Sequence, residues 1–113
     1  MDADRTSGAH VDRVQRERRI VDVIMALDEG EVTTYGDVAE VAGYPRQARL
    51  VGRILGATTV DVPWWRVVAA DGRIRTENPA RQAELLQEEG VLVAGGRVRD
   101  APIGRFRRDD SLS

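Results

Sequence analysis

The chain has 113 residues, of which 42 % are hydrophobic and 32 % charged, a composition that suits one globular domain and leaves no room for a second. No run approaches the roughly 18 apolar residues of a membrane span, and Met1 to His10 is polar and charged, so neither a span nor a secretory signal is expected. Cysteine is absent and the one histidine is His10, which excludes disulfides, thiolate catalysis and cysteine-based zinc sites and leaves a Ser-His-Asp triad dependent on a terminal tail.

Val14, Ile20, Val21, Ile24 and Leu27 follow helical spacing, with Gln15, Arg18, Arg19 and Asp22 opposite them. The pattern predicts a first helix over 12–27, ended by Asp28-Glu29-Gly30, with residues 1–11 as a flexible tail. Thr33-Thr34 offers an N-cap to a second helix over 35–42, with Asp37 three residues after Thr34 as a weak capping box, and Gly43 suits the left-handed position beyond its end. Pro45 is placed to open a third helix carrying Ala48, Leu50, Val51, Ile54 and Leu55, which Gly56 stops. Two short helices joined through Gly43-Tyr44 make a helix-turn-helix.

After an aperiodic stretch come Pro63-Trp64-Trp65-Arg66 and a short strand at Val67-Val68, which Asp71-Gly72 is expected to turn into a hairpin with Arg73-Ile74. Asn78-Pro79 reads as the N-cap and first position of a fourth helix through Glu89, closed by Gly90. Val91-Leu92-Val93, Gly95-Gly96 and Val98 suggest a second hairpin, a candidate wing. Residues 105–113 are charged and are expected to fray, leaving a domain over 12–104 that is mainly helical with short β-hairpins.

All 17 basic residues are arginine, against 19 acids, for a net charge of −2, so the molecule as a whole is no obvious nucleic-acid binder. Their distribution says more. Between Arg46 and Arg75 six arginines stand against Asp61 and Asp71, a local excess of +4. On a continuous third helix Arg46, Arg49 and Arg53 share one face, which reads either as a solvated charged surface or as a DNA-contacting one. The tryptophan pair follows directly. Each is either a core residue, an assignment that weighs more for Trp65 than for Trp64, or a flat wall against which an extruded base stacks.

Gly30-Glu31-Val32-Thr33-Thr34-Tyr35-Gly36, Ala48-Arg49-Leu50-Val51-Gly52-Arg53 and Pro63-Trp64-Trp65-Arg66-Val67-Val68 together resemble the winged helix-turn-helix DNA-binding domain of the O6-alkylguanine-DNA alkyltransferases. The resemblance spans about Arg19 to Val91. In that family a Pro-Cys-His-Arg-Val motif supplies the alkyl-accepting cysteine and an activating histidine; here Trp64 and Trp65 occupy those positions. The family's glutamate corresponds to Glu89, which without a histidine to orient reads as an ordinary acid at a helix end. The resemblance therefore implies the alkyltransferase-like branch: a non-enzymatic protein that binds O6-alkylguanine in double-stranded DNA by nucleotide flipping and marks it for nucleotide excision repair, with the damage-recognition proteins of that pathway as partners.

The same resemblance assigns Arg49 as the finger that fills the space left by the flipped nucleotide, and Tyr35 as the tyrosine that crowds the phosphate 3′ to it. Arg46, Ala48, Gly52 and Arg53 complete the expected DNA contacts. Pro63, Trp64, Trp65, Arg66, Val67 and Arg75 are the expected lesion pocket. The chain departs from the branch in having tryptophan at position 65, Arg75-Thr76-Glu77-Asn78 in place of the loop over the alkyl pocket, and Gly56-Ala57 where the family has an asparagine. No metal or organic cofactor is called for, and a cytoplasmic monomer is expected, nucleoid-associated in a bacterium. A small winged-helix transcription regulator reading intact sequence is the competing reading, although no dimerisation heptad accompanies it.

Overall fold

The computed structural model describes residues 2–108, with side chains from Val11 onward. Helix α1 (Asp2–Met25) starts ten residues before the expected boundary, so residue 12 marks no change of secondary structure. Its C-terminal half buries Ile20, Val21 and Ile24. Val14, assigned above to the apolar face, is 51 % exposed, because α1 meets the rest of the domain only from Ile20 onward.

Strand β1 (Glu31–Thr34) leads into helix α2 (Tyr35–Val41). Thr34 Oγ1 accepts from the Asp37 amide at 3.1 Å, which is the predicted N-cap. The expected reciprocal arm from Asp37 is absent, since its carboxylate is taken by Arg105 at 2.8 Å. Helix α3 spans Ala48–Ala57, later than Pro45 would have started it. A 3-10 turn at Trp64–Arg66 runs into strand β2 (Val67–Val68). Helix α4 (Pro79–Glu88) is capped by Asn78 Oδ1, which accepts from the Arg81 amide at 3.2 Å. Strands β3 (Leu92–Ala94) and β4 (Arg97–Asp100) form the predicted hairpin, and β5 (Ile103–Gly104) follows.

The hairpin expected between Val67-Val68 and Arg73-Ile74 does not form. β2 instead pairs parallel with β1, Thr33 against Val67 and Thr34 against Val68. β5 adds to the other edge of β1, also parallel. Asp71-Gly72 does turn the chain, with the Gly72 amide donating to Ala69 O at 2.8 Å, but Arg73 then bridges to Arg97 of β4. Parallel pairing needs long crossovers, which α2, α3 and the tryptophan turn supply. Of the segment 105–113 expected to fray, residues 105–108 are held against the domain, and residues 109–113 lie outside the described residues. Arg105 pairs with Asp37, Phe106 packs into the core, and the Arg108 amide donates to Asp100 at 2.9 Å.

β2 separates two apolar clusters. Successive strand residues point to opposite faces, so Val67 joins Ile20, Ile24, Val38 and Val51 while Val68 joins Val32, Leu86, Val91 and Val98. The Trp64–Arg66 turn is thereby held where the helical half meets the sheet half.

Candidate nucleic-acid interface

The turn between α2 and α3 is built from two left-handed residues. Gly43 has φ 94° and Arg46 φ 67°, and the Tyr44 amide closes on Ala39 O at 2.8 Å. A left-handed arginine costs on the order of 1–3 kcal/mol, and it is the reason Pro45 and Arg46 lie ahead of α3. Arg46 therefore does not continue the face of Arg49 and Arg53. Those two, one helical turn apart, remain exposed together.

α3 buries Val51 and half-buries Leu50, Ile54 and Leu55. Ala48, Gly52 and Gly56 follow one another at i, i+4 and i+8 along another face, where a Cβ added at either glycine would meet nothing within 4 Å. Packing inside the domain thus does not require glycine there, although each costs about 1 kcal/mol of helix stability relative to alanine. The bare surface instead permits close approach from outside.

That surface borders a cleft of about 740 Å³, within the roughly 300–1,000 Å³ of small-molecule sites. Ala48, Arg49, Gly52, Leu55 and Gly56 of α3 line it, as do Tyr35 and Gly36 at the start of α2. Trp64 and Ala69-Ala70 contribute further wall, and the loop Arg75, Thr76, Glu77 and Asn78 completes it. Burial raises the Tyr35 phenol above its usual pKa, so it stays neutral. Of the twelve expected contacts, Tyr35, Ala48, Arg49, Gly52, Trp64 and Arg75 converge here; Arg46, Arg53, Pro63, Trp65, Arg66 and Val67 do not. Val67 is fully buried in the core, and Pro63 serves the 3-10 turn, its carbonyl accepting from the Arg66 amide at 3.1 Å.

Trp65 and Arg66 turn the other way, onto Glu89. The Trp65 Nε1–H donates to Glu89 Oε2 at 2.8 Å, Arg66 Nε and Nη2 donate to the same carboxylate at 2.9 and 2.8 Å, and the Gly30 amide donates at 2.8 Å. Arg66 Nη1 also reaches Leu27 O at 2.8 Å, and its guanidinium lies 5.4 Å from the Trp65 ring centroid. Glu89 is 8 % exposed, far from an ordinary acid at a helix end. Burial pushes its carboxyl up, but the hydrogen bonds from Arg66, Gly30 and Trp65 outweigh this and hold it below the usual glutamate value. The hydrogen bonds to Glu89 likewise raise Arg66, against its own burial.

Gln82 is a further residue that sequence reasoning missed. It is fully buried on α4, and its Nε2 donates to Trp65 O at 3.0 Å and Val67 O at 3.1 Å, pinning the middle of the tryptophan turn and its exit into β2. The available signal was a glutamine at i, i+3 and i+4 with Leu85 and Leu86, on the apolar face of the fourth helix. Both tryptophans are half-buried, Trp64 against the first core and Trp65 against the second, and they meet edge-on, centroids 6.0 Å apart and planes at 86°, so Trp65 props the one on the cleft wall. Among the described residues no group of His, Cys, Asp or Glu could hold a metal ion, and no helix is long and apolar enough to cross a membrane.

A helix-turn-helix whose second helix borders a tryptophan-walled cleft beside an exposed arginine has the architecture of a DNA-binding domain. Residues 15–91 match the family described as 6-O-methylguanine DNA methyltransferase, DNA binding domain, and the chain belongs to that family. It is 46 % identical over 85 residues to the DNA base-flipping protein of Escherichia coli K12, an alignment covering 69 % of this chain and 64 % of that one. The chain thus spans about two-thirds of that relative. It is 34 % identical over 81 residues to Alkyltransferase-like protein 1 of Schizosaccharomyces pombe, covering 66 % of this chain and 75 % of the relative. Among solved structures it is similar to S. pombe Atl1 in complex with damaged DNA containing O6-carboxymethylguanine, with a TM-score of 0.65, 32 % identity, and coverage of 70 % of this chain and 79 % of that one.

Proposed function

We propose that this protein binds O6-alkylguanine in duplex DNA by flipping the nucleotide into the Trp64 cleft, without repairing it, and so marks the lesion for nucleotide excision repair. The carrying observation is that Trp64, at the family's acceptor position, lines one cleft with Arg49 in a chain that has no cysteine. Extrusion costs a few kcal/mol of stacking and pairing, less where an O6-alkyl group has weakened the pair, and a guanidinium stacked in the gap returns part of it. Arg49 takes that place, Tyr35 crowds the adjoining phosphate, and the bare Ala48-Gly52 surface lets α3 approach the groove. Trp64 stacks on, or walls, the extruded base. The test compares a duplex containing O6-methylguanine with the same duplex containing guanine. Clear preference for the lesion in arbitrary sequence is expected, whereas strong discrimination among undamaged sequences would make the protein a sequence-reading regulator instead.

Trp64→Ala is expected to shrink the preference for O6-alkylguanine while leaving most non-specific phosphate binding, because the wall carries discrimination and the phosphates carry charge. Unfolding by on the order of 3–5 kcal/mol, read from denaturant melts, would show Trp64 to be chiefly a core residue.

The absence of chemistry has its own test. Trp64→Cys alone is expected to accept little or no alkyl group, since an unassisted thiol of pKa about 8.5 is a poor nucleophile near neutral pH. Adding Trp65→His places an imidazole where the indole now donates to Glu89 at 2.8 Å, so the same carboxylate orients a base beside the new thiol. Mass spectrometry after exposure to O6-methylguanine DNA should find more methylated cysteine in the double variant than in the single, still slowly formed, because positioning errors of about 1 Å can cost 10²-fold. A methyl adduct on the unaltered protein would overturn the non-enzymatic reading.

A further inference from the structure

Two Arg-apolar-Arg triplets, Arg73-Ile74-Arg75 and Arg97-Val98-Arg99, are brought side by side by the fold. Arg73 and Arg97 are antiparallel bridge partners, with the Ile74 amide donating to Gly96 O and the Val98 amide to Gly72 O, both at 2.9 Å. Bridge partners share a face, and residues two apart on an extended segment share it too. Val98 and Ile74 accordingly turn into the second core, and Arg73, Arg75, Arg97 and Arg99 all turn out. They line a hollow of about 560 Å³ with Gly95 and Gly96, and among the described residues no carboxylate is in its walls.

Like charges directly opposite on paired strands repel, and among the described residues Asp71 is the acid that relieves them, 3.2 Å from Arg73 and 3.8 Å from Arg97. Arg75 and Arg99 have no ion pair among the described residues. Arg75 also borders the Trp64 cleft, so the hollow continues from the site that takes the nucleotide. Gly95 and Gly96, both left-handed, leave the hairpin tip without side chains, and a Cβ at Gly96 would meet nothing within 4 Å.

We infer that this four-arginine face is a second phosphate-binding site, which holds the DNA backbone where it runs on past the cleft and over the β3–β4 hairpin. The inference rests on the cleft being a nucleotide pocket. Its continuity with that cleft through Arg75 favours the backbone of the bound DNA over an acidic protein as occupant.

The test measures affinity over a range of salt concentrations for an O6-methylguanine duplex long enough to extend beyond the cleft on both sides, and for its undamaged counterpart. The double variant Arg97→Gln/Arg99→Gln, outside the cleft, is expected to bind both duplexes several-fold more weakly with an unchanged lesion preference. Its plot of log affinity against log salt should be shallower by about 0.9 per lost phosphate contact, or roughly 1–2 overall. Arg97→Lys/Arg99→Lys, which keeps the charges, should restore most of the slope. An unchanged slope in the glutamine variant overturns the inference, and so does loss of binding to a polyglutamate peptide with the DNA slope intact, which would place an acidic protein there. A changed slope without any lesion preference in the unaltered protein would leave this site standing and remove the proposed function alone.

Discussion

Replacing Arg49 with alanine is expected to weaken binding to O6-alkylguanine DNA by about 1–3 kcal/mol, roughly 5- to 140-fold, if the guanidinium stacks in the emptied position of the duplex. Arg49 stands on α3, exposed, where it lines the cleft with Gly52 and Trp64. Arg97→Ala and Arg107→Ala remove the same charge from positions that do not line the cleft. Their losses should be smaller and should fade as salt rises, since a phosphate contact contributes mainly through counterion release. The loss at Arg49 should persist at high salt, and a fluorescent base analogue at the target should report less flipping. Equal losses for all three variants at every salt concentration would remove Arg49 from the finger role.

The second large effect is on stability. Glu89→Ala strands the Arg66 guanidinium, the Trp65 indole N–H and the Gly30 amide together, in a place where Arg66 is only 14 % exposed. Removing one partner of a largely buried ion pair leaves an uncompensated charge, and here the expected cost is about 2–4 kcal/mol in denaturant melts. Because the Glu89 carboxyl is held below its ordinary value by these donors, its contribution is complete above the unfolded-state glutamate pKa. That contribution is lost as pH falls through the lowered folded-state value. Glu89→Gln should therefore lose less stability than the unaltered protein across that acidic window. An alanine variant as stable as the parent at neutral pH would show that the four donors are satisfied elsewhere.

The Glu89 carboxylate holds the Trp65 indole, which donates a hydrogen bond but takes up no proton, and Trp65 in turn meets Trp64 edge-on beside the cleft.

Helices α2 and α4, the β3–β4 hairpin and the family were legible in the sequence, because each rests on local chemistry. Thr34 and Asn78 cap through bonds to residues three positions on, and Gly95-Gly96 supplies the left-handed turn between short strands. The family motifs located Arg49, Tyr35 and Trp64 for the same reason, as each is recognised by its immediate neighbours. Val67-Val68 was legible as a strand but its pairing with β1 was not, and β1 and β5 were not legible at all. All three are two to four residues long, too short for a period, and their parallel partners lie more than thirty residues apart along the chain.

The division between the two tryptophans likewise belonged to the tertiary structure. Adjacent in sequence and identical in chemistry, they part because the 3-10 turn points Trp65 toward the Glu89 carboxylate at the end of α4 and leaves Trp64 on the cleft. Arg66 follows Trp65, and Arg46 is set apart from α3 by its left-handed backbone. Sequence alone determined the absence of a thiol, the arginine-rich helix-turn-helix and the family. Which of those arginines and aromatics face one cleft was decided only by long-range pairing, since that direction depends on hydrogen bonds to Glu89 and Gln82 that form only once the fourth helix packs against the tryptophan turn.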